Sequence, residues 1–271
     1  MTTKVPMTEG KRRRWLAALV AAVLATLLAA CSVGTPVGAG SPAPRFPPAG
    51  AGSPISPPTS AADEPRYITA VFDDAQADWR KAFAAADMPY SPAKLTMFDS
   101  AIQTACGTES ADVGPFYCPA DSTVYLDLSF FDQMEQQYGA GGAFAQAYVI
   151  AHEMGHHVQA ISGTSGRVSQ LQARNPSAAN RLSVMTELQA DCYAGVWAHS
   201  TYQRGLIGPA EIDQAVKAAG VIGDDYQQQA AFGRTDPQQW THGSSQQRQH
   251  WLSTGYDTGQ TSSCNTFSSL S

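Results

Sequence analysis

His152, Glu153 and His156 are the residues of this chain whose types and spacing most directly suggest chemistry. Two histidines four residues apart lie one above the other on a helix, so both imidazoles can reach a single metal ion. Glu153 is rotated by roughly 100° from His152, so its carboxylate reaches past such an ion toward a water held on it. The H-E-x-x-H pattern therefore points to a Zn²⁺ ion with a carboxylate base beside it. With 6 histidines in 271 residues, chance produces the pattern in about a few sequences per thousand. The plain alternative is a pair of core histidines on a buried helix. His157 sits beside the ligand face, where a supporting or structural role suits it better than ligation.

Two histidines leave a catalytic zinc centre one protein ligand short. Thr186 to Trp197 (TELQADCYAGVW) reads as a helix, with Glu187 and Asp191 stacked on one face and Val184, Leu188 and Ala194 free to pack. Two stacked acids on an apolar helix repel each other and cost free energy to bury unless a cation lies near them. A centre of two histidines and a glutamate supplies that cation. Glu187 is expected to be the third ligand to one Zn²⁺, and Asp191 the acceptor for the other nitrogen of a ligand imidazole. The reversed assignment and a solvated acidic face are the alternatives.

These residues need elements to hold them. Ala143 to Ile161 (AFAQAYVIAHEMGHHVQAI) reads as one apolar helix between Gly141-Gly142 and Gly163. Tyr67 to Ala86 reads as an amphipathic helix with Val71, Trp79 and Phe83 toward the core, and Pro209 to Val221 as a helix with proline in its first turn. Leu95 to Phe98 is a short strand. Thr123 to Leu128 is a second strand, either an edge to which an extended peptide adds or an ordinary core strand. Ser244 with Gln247 makes a capping box, opening a helix that carries Arg248 and Trp251. No internal repeat is visible. Helices around a small antiparallel or mixed sheet make an α+β fold of zincin-like type.

The N-terminus reads as an address rather than as fold. Lys11 to Arg14 is a basic cluster, and Trp15 to Leu28 is apolar apart from Thr26. Leu28-Ala29-Ala30-Cys31 resembles a bacterial lipobox, with Cys31 the residue to be lipidated. The alternative is a single uncleaved N-terminal transmembrane helix. Either way the rest of the chain lies outside the cytoplasm, on the extracytoplasmic face of a bacterial cell membrane. Residues 1–31 are thus a signal peptide with lipobox. Residues 32–64, rich in Pro, Gly, Ala and Ser, are a disordered tether. Residues 65–268 form one folded domain.

Charge excludes one class of partner. From Cys31 onward the chain carries 12 basic and 22 acidic residues, a net of −10, which makes nucleic acid a poor partner. The remaining cysteines, Cys106, Cys118, Cys192 and Cys264, are an even set in an oxidising compartment. Cys106 is expected to pair with Cys118 across a short loop, and Cys192 with Cys264 to hold the C-terminal tail. A four-cysteine zinc site is the rival, without C-x-x-C spacing to support it.

The segments AHEMGHHVQ and ELQADCYAGVWA, with CGTESADVGPFYCPADSTVYLDLSFF before them and HGSSQQRQHWLSTGYDTG and SSCNTF after, resemble the bacterial neutral zinc metallopeptidase family. The resemblance runs from about Tyr67 to Phe267 and leaves out the lipobox and tether. That family is similar in turn to the gluzincins, which include the prenyl-protein endopeptidases. The resemblance implies hydrolysis of a peptide or protein substrate by a zinc-activated water, with Glu153 as general base. It also implies that His242, six residues before Arg248, donates to the oxyanion, whereas the sequence alone shows an exposed loop histidine. A non-catalytic zinc-binding lipoprotein or scaffold is the rival reading. Glu153 argues against it, since a storage site needs no base.

Overall fold

The computed structural model describes residues 55–110 and 113–268. The lipidation reading at Cys31, the apolar stretch from Trp15 to Leu28 and the tether over 32–54 lie outside the described residues. Helix α1 spans Glu64–Ala85, opened by a proline in its first turn, and starts three residues before the expected Tyr67. Its buried residues include Val71, Trp79 and Phe83, as their spacing predicts. Ile55 already packs on the main core, so the end of the expected tether touches the folded body.

Five short strands follow: β1 Lys94–Phe98, β2 Ile102–Thr104, β3 Gly107–Glu109, β4 Phe116–Cys118 and β5 Thr123–Asp127. β2 and β3 form a separate antiparallel pair, while the main sheet has the order β1-β5-β4. Lys94 to Phe98 pair in parallel with Thr123 to Asp127, and Phe116 lies opposite Tyr125 in an antiparallel ladder. β5 is therefore the central strand, and all five of its residues are buried. Both of its backbone edges are taken, so it cannot add an extended peptide. Of the two readings of this strand, the core one holds, and the antiparallel edge belongs to β4.

The helices complete a mostly helical α+β body. α2 (Leu128–Tyr138) has no counterpart among the expected elements. The Asp127 carboxylate opens it by accepting from the Ser129 amide at 2.9 Å. α3 (Ala143–Ile161) has the bounds its sequence predicts. It is mostly apolar apart from the residues around His152 to Gln159, and its neighbours cover it on nearly every side. α4 (Thr164–Arg174), α5 (Ala179–Gln203), α6 (Pro209–Val221), α7 (Asp224–Phe232) and α8 (Ser245–Thr258) follow. The expected box opens α8: Ser244 Oγ accepts from the Gln247 amide at 3.2 Å, and Gln247 Oε1 accepts from the Ser244 amide at 2.9 Å.

Two close approaches fix α5 against its partners. A Cβ on Gly155 of α3 would come 3.0 Å from Ala190 Cα on α5, so glycine lets these two helices cross nearly backbone to backbone. A Cβ on Gly195 would overlap the Leu252 carbonyl of α8. α5 is also tied to α1: Arg204 bridges Asp74 at 2.5 Å and Asp78 at 2.8 Å, and the Trp197 indole donates to Asp74 at 2.9 Å.

Both expected disulfides are present, Cys106–Cys118 and Cys192–Cys264, with sequence separations of 12 and 72. By loop-closure entropy they stabilise by about 3 and about 4 kcal/mol if unstrained. Among the described residues no helix is long and apolar enough to cross a membrane.

Candidate metal centre

α3 presents His152 and His156 on one face, and the α3–α5 crossing at Gly155 brings Glu187 up to them. One ligand atom from each of the three lies within 4.8 Å of the others. His152 Nε2 is 3.2 Å from His156 Nε2 and 3.1 Å from Glu187 Oε2, and His156 Nε2 is 3.4 Å from Glu187 Oε1. A tetrahedral ion with bonds of about 2.0–2.1 Å separates adjacent ligand atoms by about 3.3–3.4 Å. The two nitrogens stand near that separation, and each lies near it from one or the other Glu187 oxygen; two imidazole nitrogens facing a carboxylate are a zinc-type donor set. The residues fit the ion. Glu153 is outside this trio; it is buried at the cleft wall beside it.

Behind His152 lies a charged network. Asp191 Oδ1 accepts from His152 Nδ1 at 2.8 Å and from the Tyr148 hydroxyl at 2.6 Å. Arg248 holds both oxygens of Asp191, through Nε at 2.9 Å and Nη2 at 2.9 Å. Its Nη2 also donates to the Tyr148 hydroxyl at 3.2 Å, and Nη1 to the Ile222 carbonyl at 3.2 Å. Asp191 thus takes the place expected of it, on the side of His152 away from Glu187. Arg248 adds a cation at Asp191 beyond the metal that the stacked pair led one to expect, and of the two acids only Glu187 joins the trio. The sequence places Arg248 on a helix but gives no sign that this helix lies across α5.

Burial acts against every charge here, and its competition with the neighbours sorts them. Burial lowers the His152 value, but Asp191 and the hydrogen bonds to Asp191 and Glu187 outweigh it and raise the imidazole to about 10. Burial raises the Glu187 carboxyl, but the two imidazoles outweigh it and hold it well below the usual range. Asp191 is held down in the same way, by Arg248 and His152 against burial. Glu153 goes the other way: burial pushes it up and prevails over the pull of His156 and His152. The two neighbouring carboxyls are thus pushed in opposite directions.

His157 is not brought into the trio. It is fully buried, donates from Nε2 to the Ser91 carbonyl at 2.8 Å and accepts at Nδ1 from the Tyr117 hydroxyl at 3.1 Å. It therefore ties α3 to β4, the supporting role its position suggests. His242 lines the same cleft as His152 and Glu153, with its side chain about half exposed. Its Nδ1 lies 3.2 Å from Asp224 Oδ1, and Asp224 Oδ2 accepts the backbone amides of Thr241, His242 and Gly243. The loop is thus fixed on Asp224, a partner that the sequence reading does not supply.

The cleft has a volume of about 760 Å³. Phe116 and Tyr117 of β4 line one side, Phe130 and Met134 of α2 and Val149 of α3 another. An open cleft with a carboxylate base beside a metal trio is what metal-assisted hydrolysis requires. The comparison of families leads to the same class. The model described as "Putative neutral zinc metallopeptidase" matches residues 19–267, and the chain belongs to this family. That match begins inside the apolar N-terminal stretch, so the likeness reaches well before Tyr67, where the sequence reading starts it. The chain is 47% identical over 203 residues to the uncharacterized protein YpfJ of Escherichia coli (strain K12), covering 74% of this chain and 71% of that protein. It is 46% identical over 190 residues to the uncharacterized protein Rv2575 of Mycobacterium tuberculosis (strain H37Rv), covering 66% and 64%. No solved structure matches the chain.

Proposed function

We propose that the chain is a zinc-dependent endopeptidase in which His152, His156 and Glu187 hold one Zn²⁺ and Glu153 is the general base. The observation that carries this reading is the trio, with one ligand atom of each residue within 4.8 Å of the others, and the buried Glu153 carboxyl beside it. Bound zinc supplies Lewis acidity toward a carbonyl oxygen and toward water. Glu153 takes the proton of the attacking water as the C–O bond forms, and passes it to the amine nitrogen as the C–N bond breaks. His242, whose Nδ1 is turned to Asp224, has its Nε2 left to face the oxygen where negative charge develops. An extended substrate lies along β4, the antiparallel edge at the cleft. A zincin-like arrangement suits this layout of ligand helix, edge strand and glutamate helix.

Incubating the chain with a peptide library, with and without a zinc chelator, tests the reading. Cleavage that stops with chelator and returns with zinc is expected. Glu153→Gln should keep the metal and lose at least about 100-fold in rate. Undiminished cleavage by that variant, or none by the zinc-loaded wild type, would overturn the assignment.

The domain is further read as held on the extracytoplasmic face of a bacterial membrane through lipidated Cys31. The basic cluster, the apolar run and the small residues before Cys31 support this, as do two disulfides in the domain. Mass spectrometry of the mature N-terminus should find a diacylglyceryl cysteine. An intact Met1 would favour the transmembrane anchor instead.

A further inference from the structure

The side of His156 away from the trio is neutral, and its hydrogen bonds run in only one possible direction. A backbone carbonyl can accept but never donate. The Cys264 carbonyl accepts from Gln189 Nε2 at 3.0 Å, which fixes the Gln189 amide with its oxygen turned away from the tail. That oxygen accepts from Gln159 Nε2 at 3.1 Å. The other proton of the same Gln159 nitrogen goes to the Thr186 carbonyl at 2.7 Å, again an acceptor only. Both Gln159 protons are then assigned, and its Oε1 is what faces His156 Nδ1 at 2.9 Å. An oxygen with no proton can only accept, so Nδ1 must carry one.

We propose that Gln159 and Gln189 are positioning residues that fix His156 with its proton on Nδ1 and its Nε2 lone pair facing the trio. The ends of the chain of bonds are the backbone carbonyls of Thr186 and Cys264. Gln159 is fully buried and Gln189 nearly so. Turning the Gln159 amide over would set its oxygen against the Thr186 carbonyl and the Gln189 oxygen. It would also point an NH₂ at the imidazole. Each bond lost there would leave a buried polar group without a partner, with the full cost of its desolvation. The Cys264 carbonyl is itself fixed, because Cys264 is bonded to Cys192 on α5. The C-terminal tail therefore reaches an imidazole of the trio through two amides, although among the described residues none from the tail belongs to the trio. Gln159 follows His156 by three residues on one helix face, while Gln189 follows Glu187 by two on the facing helix.

This inference rests on the zinc reading above, and the experiment separates the two. Zinc affinity of the full chain is measured by competition with a chromophoric chelator, and the histidine rings are observed by nitrogen spectroscopy in cadmium-loaded protein. In the wild type, cadmium should couple to His156 Nε2, with a slowly exchanging proton on Nδ1. Gln159→Met, of similar length and without the amide, should bind zinc about 10–100-fold more weakly and lose that protected proton. Gln189→Met should weaken binding less. In its background, opening the disulfide with Cys264→Ala should cost no further zinc affinity, because the path from the tail is already cut. Additive losses would make the disulfide's effect a general loosening and overturn the path. Zinc binding by Gln159→Met within about twofold of wild type, or cadmium coupled to Nδ1 of His156, would overturn the role of Gln159. If Gln159→Met does not fold, the wild-type spectrum and the Gln189→Met cycle decide. If the wild-type chain binds no zinc, the metal reading falls. The spectrum of the neutral imidazole would still report which nitrogen holds the proton.

Discussion

Behind His152 stand a carboxylate, a guanidinium and a phenol; behind His156 stand two primary amides and two backbone carbonyls. Both surroundings leave Nε2 facing the trio, but they do so by different physics. The Asp191 side uses charge, which raises the basicity of the ligand ring and requires Arg248 to make the buried carboxylate tolerable. The amide side uses direction alone: nothing in it is ionised, and its order comes from carbonyls that cannot donate. A charged support is strong, but it depends on every partner being present and on pH. A neutral relay is weaker and insensitive to pH, and it carries position from a distant part of the chain.

That contrast can be broken or sharpened by experiment. The largest effect is expected from Arg248→Met, which strands Asp191 without its cation and should destabilise the fold by about 3–5 kcal/mol in denaturant unfolding. A loss below about 1 kcal/mol would mean that water or zinc replaces the guanidinium. Asp191→Asn should come next, weakening zinc binding by about 10–100-fold, and by more than Gln189→Met does. Equal losses on the two sides would erase the distinction between charge and direction.

Acid should separate the sides further. Asp191 has a folded value below its unfolded one, so its contribution to stability is present above the unfolded value of about 3.9 and is lost as pH falls through the folded value. The wild type should therefore lose stability on acidification below about pH 4. Asp191→Asn should flatten that limb, whereas Gln159→Met should leave its slope unchanged. The smallest effect on zinc binding belongs to Cys118→Ser, which should lower the melting temperature and leave zinc affinity where it was. Its disulfide reaches neither imidazole; a shift like that of Cys264→Ala would show a connection through β4 and His157.

Much of the centre was legible because it is local. His152, Glu153 and His156 stand at helical spacing on one segment, and the bounds of α3 follow from its composition and flanking glycines. The stacking of Asp191 with Glu187 announced two acids at the centre but left open which of them faces the trio and which stands behind His152. Gln159 was equally local, three residues beyond His156, and the search for a partner to the second imidazole could have found it. Gln189, the Cys264 carbonyl and the partnership of Arg248 with Asp191 were not legible. Each depends on which helix lies across α5, and periodicity within one helix carries no information about that. The same holds for β5. Its β-branched and aromatic residues announce a strand, but only pairing shows that β1 and β4 cover both sides. α2 did leave a signal, the Asp127 cap, hidden because the apolar run passes from strand to helix without a break.

The bond between Cys106 and Cys118 has a consequence for survival among peptidases. The bridge encloses β3 and β4, and β4 is laddered to β5, which follows the second cysteine. A single backbone cut anywhere between the two cysteines therefore releases nothing. The fragment carrying α1 and β1 stays covalently joined to the fragment carrying α3 and α5. The chain nicked there would run as two bands after reduction and as one before it.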